Sequence, residues 1–219
     1  MKKGFTLSEV LITLGIIGVV AAMTMPVLIQ QQQKLHYVIA LKKAYSVWEQ
    51  AFQRMQTEDE YYIDNLYHTN FFSKIPTTNI TDKNEYWKNN LSKYIQMVDF
   101  IPSNSSGTGI TYKRLSGGVN VPSLTNFASI YTPDGMIYYI ALYSNSTSHV
   151  WIDVNADKAP NQWGRDMFRF SINNDGRLIP YDSEMAEGDD CSNEKIAAKE
   201  SLGYECAQRI MKDGWKMNY

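Results

Sequence analysis

The chain has 219 residues, 44% of them apolar, with a formal net charge of −2. That length accommodates one membrane segment and one modest globular domain with a buried core. The near balance of 21 basic and 23 acidic residues, with no basic run, gives no basis for a strong attraction to nucleic acid, and none is predicted as a partner.

The first element is the apolar stretch that begins within MKKGFTLSEVLITLGIIGVV. From Phe5 to Ile29 the only charge is Glu9, and roughly 20 apolar residues suffice to cross ~30 Å of hydrocarbon. A secretory signal peptide would have a shorter apolar stretch ending at a small-residue cleavage site. Ala21-Ala22-Met23 is a poor version of that site, and the apolar run continues past it. As a membrane anchor, the segment would keep its amino end, with Lys2 and Lys3, cytoplasmic and place the remainder outside. A carboxylate in such a helix costs up to about 2.5–3.5 kcal/mol at mid-bilayer and usually has a partner. Phe5, Ile12 and Thr13, its neighbours at i−4, i+3 and i+4, supply no cation. The expected partner therefore lies on another chain.

Gly4-Phe5-Thr6-Leu7-Ser8-Glu9, behind a short basic leader and ahead of an apolar helix, resembles the processing site of type IV prepilins and pseudopilins. The resemblance implies that a membrane prepilin peptidase and N-methyltransferase removes residues 1–4 by cutting between Gly4 and Phe5. It also implies methylation of the new terminus at Phe5 and pairing of Glu9 with the amine of a neighbouring subunit. Pro26 fits the same pattern, since many pilins have a proline there that interrupts the helical hydrogen-bond ladder and permits local melting on assembly. The implied setting is the inner membrane, with a periplasmic carboxy-terminal domain and other pilin or pseudopilin subunits as partners in a filament.

Beyond the transmembrane segment, 5–29, the helix is expected to continue as a spine over 30–56. Leu35, Val38, Leu41, Tyr45, Trp48, Phe52 and Met55 recur at three- and four-residue steps on one stripe, with Gln50, Gln53 and Arg54 elsewhere on the cylinder. Helix from Thr6 to Gln56 would be about 75 Å long. Residues 57–106 turn polar and irregular and read as an insertion, with a short second helix from Tyr86-Trp87 through Val98. Its aromatic residues, Tyr61, Tyr62, Tyr67, Phe71, Phe72, Tyr86, Trp87 and Tyr94, suit core packing better than an adhesive surface.

Strand signals fill the next stretch. Phe127–Tyr131 and Met136–Tyr143 flank Pro133-Asp134-Gly135 as a hairpin. His149–Val154 reads as a further strand, and Asp166–Ile172 with Arg177–Ile179 as a second hairpin about Asn174-Asp175-Gly176. A long helix followed by an antiparallel sheet over 107–219 is an α+β, pilin-like fold.

Asp153, Asn155 and Asp157 place oxygen ligands at alternate positions, as in a calcium loop, with Asn161 and Asp166 further on. Lys158 stands where an EF-hand wants glycine, however, and Gly164 where it wants glutamate. Some secretion pseudopilins bind calcium in sheet loops. The competing reading is that these side chains cap turns. Cys191 and Cys206, the only cysteines, lie beyond the membrane segment and read as one disulfide in an oxidising compartment. Closing the loop from 191 to 206 is worth roughly 3 kcal/mol in the chain-entropy model, and a carboxy-terminal cysteine pair also recurs in type IV pilins. Nucleophile-elbow, P-loop and HExxH motifs are absent from the sequence, and three scattered histidines argue no triad. The expectation is a structural subunit of a type IV pilus or type II secretion pseudopilus. The rival is a monomeric membrane-anchored periplasmic binding domain or enzyme, which would have no use for a buried unpaired Glu9.

Overall fold

The computed structural model describes residues 6–58, 70–105, 107–118, 124–144, 147–173, 176–182 and 190–219. The chain divides into two compact units, Met1–His36 and Tyr37–Tyr219. Helix α1, Leu7–Glu58, contributes to both. In the first unit its large apolar side chains, from Leu7 through Ile29, are exposed. Such a surface is satisfied by hydrocarbon or by other apolar helices.

In the second unit α1 buries Val38, Leu41, Ala44, Trp48, Ala51, Phe52 and Met55. The stripe differs from the expected one at two places. Leu35 is 52% exposed and Tyr45 is half-buried, while Ala44 and Ala51 complete the buried face. Trp48 meets Tyr138 edge to face with ring centres 5.4 Å apart, and Tyr45 lies 6.0 Å from Phe170.

Tyr138 and Phe170 belong to an antiparallel meander of six strands in the order β1 to β6: Asp99–Ile101, Ala128–Tyr131, Ile137–Ala141, Ser148–Asp153, Met167–Ile172 and Leu178–Pro180. Alternate side chains point to opposite faces. On the face toward α1 lie Ile130, Tyr138, Ile140, Val150, Ile152, Phe168 and Phe170. On the second face Ile137, Tyr139, Trp151 and Met167 pack with Tyr112, Leu124 and Trp163. With both faces covered, β3 is buried at all five positions, which explains why IYYIA shows no apolar-polar alternation.

Two features of the expected insertion at 57–106 are placed differently. Its main helix is Ile80–Leu91, which ends before Val98. The Asn79 side chain caps its start by accepting from the Thr81 N–H at 2.9 Å. The residues after it form β1, which joins the sheet by pairing Asp99 with Tyr131. A four-residue helix, α2 (Asn70–Ser73), precedes this one, α3; it buries Phe71 and Phe72, and α3 buries Trp87 in the same core. Tyr86 and Tyr94 pack against that core, whereas Tyr61, Tyr62 and Tyr67 lie outside the described residues. Two further helices, α4 (Asn193–Ala197) and α5 (Cys206–Lys212), complete the second unit, and α5 packs Ala207 and Ile210 into the core.

Candidate functional site

The start of α1 is held by a reciprocal pair of side chains. Thr6 precedes the first helical residue, and Glu9 stands three positions later. One Glu9 carboxylate oxygen, Oε2, accepts from both the Thr6 N–H and the Thr6 hydroxyl at 2.8 Å, while the Glu9 N–H donates to Thr6 Oγ1 at 3.3 Å. This is a capping box, with a threonine and a glutamate satisfying backbone donors that no preceding turn can serve. The carboxylate also sits at the positive end of the helix dipole. Glu9 thus finds polar partners within its own chain. The expectation of a partner on another chain weighs only cations, and the Thr-x-x-Glu spacing is the signal for the local one. Gly4 and Phe5 lie outside the described residues.

Further along, α1 continues through Pro26. Proline has no N–H, so the Ala22 carbonyl lacks its usual i+4 donor. Thr13 and Thr24 spend their hydroxyls on backbone carbonyls at Val10 and Val20, at 2.9 and 3.0 Å, which leaves the surrounding helix surface apolar. The helix is long and apolar enough to cross a bilayer.

At the other end of the chain, Cys191 and Cys206 form a disulfide, with both residues fully buried and Cα atoms 5.0 Å apart. The surrounding backbone is packed against it. Gly164 has φ +73°, and a Cβ there would lie 2.6 Å from Cys206 Sγ, so only glycine fits. The Asp190 carboxylate accepts from three consecutive N–H groups, Leu202, Gly203 and Tyr204, each at 2.8 Å. In turn the Asp190 N–H donates to Glu205.

The residues of the expected calcium loop lie between β4 and β5. Asp153 and Asp166 are fully buried, Asn155 and Asn161 are half-buried, and Asp157 is exposed. Asp153 accepts from the Asn155 N–H at 3.0 Å and from the Tyr112 hydroxyl at 2.5 Å; Tyr112 is joined in turn to Tyr139, and Tyr139 to Thr108, each at 2.8 Å. Asp166 accepts from the N–H groups of Asn161 and Gln162 at 2.8 and 2.6 Å. With its amide nitrogen toward the loop, Asn161 donates to the carbonyls of Ala156 and Lys158. Burial pushes the Asp153 carboxyl up to about 7 and raises Asp166 as well. Among the described residues no group of three or more His, Cys, Asp or Glu side chains is placed to hold a metal ion. The two aspartates act as caps for the turns of their own loop.

Residues 1–25 match the family described as the prokaryotic N-terminal methylation motif. The chain carries the prepilin-type signature. The matched stretch includes the Thr6–Glu9 box and the apolar helix up to Met25, and it supports a type IV pilin- or pseudopilin-like precursor. Such a signature implies processing by a prepilin peptidase and assembly with other pilin subunits. The single apolar helix of the first unit fits a membrane-anchored pilin. No curated protein and no solved structure matches the chain.

Proposed function

We propose that the chain is a structural subunit of a type IV pilus or a type II secretion pseudopilus. It inserts with its amino end cytoplasmic and its second unit periplasmic, is cleaved between Gly4 and Phe5, and is methylated on Phe5. The observation that carries this reading is the methylation motif at residues 1–25, set on an apolar stretch, Phe5 to Ile29, whose one carboxylate is Glu9.

The capping box adds a mechanism. Before assembly Glu9 is satisfied by Thr6, which offsets part of the penalty of placing a carboxylate in the membrane. Cleavage would create a cationic amine on Phe5, one residue from Thr6. In a filament Glu9 then exchanges its bond to the Thr6 N–H for the charge of a neighbouring subunit's Phe5 amine. A paired and hydrogen-bonded ion pair is tolerated in a low-dielectric core where either charge alone is not. Pro26 would provide the place where the helix yields as the subunit leaves the bilayer.

Intact-mass measurement of the protein from native membranes tests the reading. A mass lacking residues 1–4 and carrying one added methyl group is expected. Retention of the leader in the filament-associated protein would overturn it.

A further inference from the structure

Arg169 sits on the second face of the sheet in a cross-strand row with Tyr139 and Trp151, and the Tyr181 N–H donates to its carbonyl at 3.1 Å. Its guanidinium carbon lies 3.7 Å from the centre of the Tyr181 ring and 5.5 Å from that of Trp151, which also packs with Phe127 at a ring separation of 4.2 Å and with His149 at 5.7 Å. Stacking engages the face of a guanidinium and not the N–H groups in its plane. Those donors are poorly provided for. Nε is buried without an acceptor. Among the described residues, no carboxylate lies within ion-pair distance of Arg169, whereas Arg54 pairs with Glu58 and Arg209 with Asp213.

The adjacent row supplies complementary groups. His149 pairs with Ser171 and Ser171 with Ile179, and His149 Nδ1 lies 3.0 Å from Ser171 Oγ. Burial and the Arg169 charge hold the His149 imidazole down to about 4, so at neutral pH it is an uncharged hydrogen-bonding group. Ile179 is 41% exposed and provides an apolar surface beside Ser171. Among the described residues this half-buried cation has no counter-charge, and such a charge is unfavourable unless something supplies one.

We propose that Arg169 anchors a binding subsite for an organic oxyanion. The guanidinium holds the carboxylate or phosphate of the ligand, Ser171 and His149 supply hydrogen bonds beside it, and the ligand's ring or apolar body lies on Ile179. A guanidinium fork suits planar or tetrahedral oxyanions, which it grips through two donors.

The full chain in a zwitterionic detergent would be titrated with phenyl phosphate, benzoate and uncharged phenol, with binding read by calorimetry and ligand-observed NMR. Saturable, salt-sensitive binding of at least one anion and none of phenol is expected, and preference between the anions identifies phosphate or carboxylate as the natural group. Arg169→Gln should weaken binding by on the order of tenfold or more, and Arg169→Lys by less. Should Arg169→Gln fail to fold, Ser171→Ala leaves the rings around Arg169 in place and should weaken binding. Absence of saturable anion binding at millimolar concentration, equal binding of phenol, or undiminished binding in folded variants would overturn the proposal.

Discussion

The Glu49 carboxylate on α1 accepts a hydrogen bond from the backbone N–H of Leu178 on β6 at 2.6 Å. β6 is an edge strand, and edges expose unpaired backbone groups to other chains. Residues 178 and 180 turn their backbone groups the same way. Glu49 covers the first of these positions, and Pro180 has no N–H at the second, so the edge offers no free donor at either. Glu49 thereby ties α1 to the sheet and, together with Pro180, removes the outward N–H donors of the β6 edge at these positions.

Glu49→Ala should therefore destabilise the second unit by about 1.5–3 kcal/mol, the range for a hydrogen bond to a charged group. Glu49→Gln, which keeps an acceptor, should lose less. Chemical denaturation of the purified full chain reads both, and an unchanged midpoint for Glu49→Ala would show that the edge is held by packing alone.

Cys191 and Cys206 should resist alkylation until the protein is unfolded and reduced, because both are fully buried and bonded. The double replacement by alanine should cost roughly 3 kcal/mol in the chain-entropy model. Gly164→Ala is the sharper test, since its Cβ would collide with Cys206 Sγ from a left-handed backbone position. It should lower stability even with both cysteines present, and free thiols in that variant would show that the strain is relieved by opening the bridge.

The hairpins are legible in the sequence because their turns demand particular residues. Gly135 at φ +77° and Gly176 at φ +71° sit where an L side chain would be strained, and the strands begin and end within two residues of the expected places. β1 is hidden because three residues are too few to show a period, and their partner, β2, lies beyond Gly107 and a long polar stretch. The α3 start is hidden by its polar first turn, although Asn79 is a strong cap. At the candidate site the membrane carboxylate stands out at once. The Thr6 contact does not, because counting charges overlooks a backbone N–H as a partner for an anion.

His149 gives a pH dependence with a definite sign. Its folded-state pKa, about 4, lies below the ordinary imidazole value because of burial and the nearby Arg169. Both folded and unfolded forms are neutral above about 6.5, so the contribution is fully present there. As pH falls from about 6.5 toward 4, the unfolded chain binds a proton that the folded chain refuses, and stability declines. His149→Gln should remove this decline and leave the opposite slope of Asp153, whose raised carboxyl takes up a proton in the folded chain over the same range. An NMR titration of the imidazole with a midpoint near the ordinary value of about 6.5 in the folded protein would contradict it.

Glu9 should be dispensable for membrane insertion and required for assembly. Glu9→Ala removes the acceptor of the capping box, at about 0.5–2 kcal/mol of local helix stability, and also removes a desolvated charge, so the isolated subunit should insert at least as well as the wild type. Thr6→Val loses the hydroxyl but keeps the backbone N–H, which leaves the carboxylate available. In a filament the two changes differ. Without Glu9 the amine of a neighbouring Phe5 is stranded in an apolar core, and breaking one side of a buried pair costs on the order of 3–5 kcal/mol at each contact. Thr6→Val leaves that pair intact and only loosens the competing local bond. The expected pattern is normal membrane levels for both variants, sharply reduced filament yield or secretion for Glu9→Ala, and near-normal assembly for Thr6→Val. If Thr6→Val assembled as poorly as Glu9→Ala, the capping box itself would be the assembly determinant; stable Glu9→Ala protein that assembles normally would remove Glu9 from the mechanism.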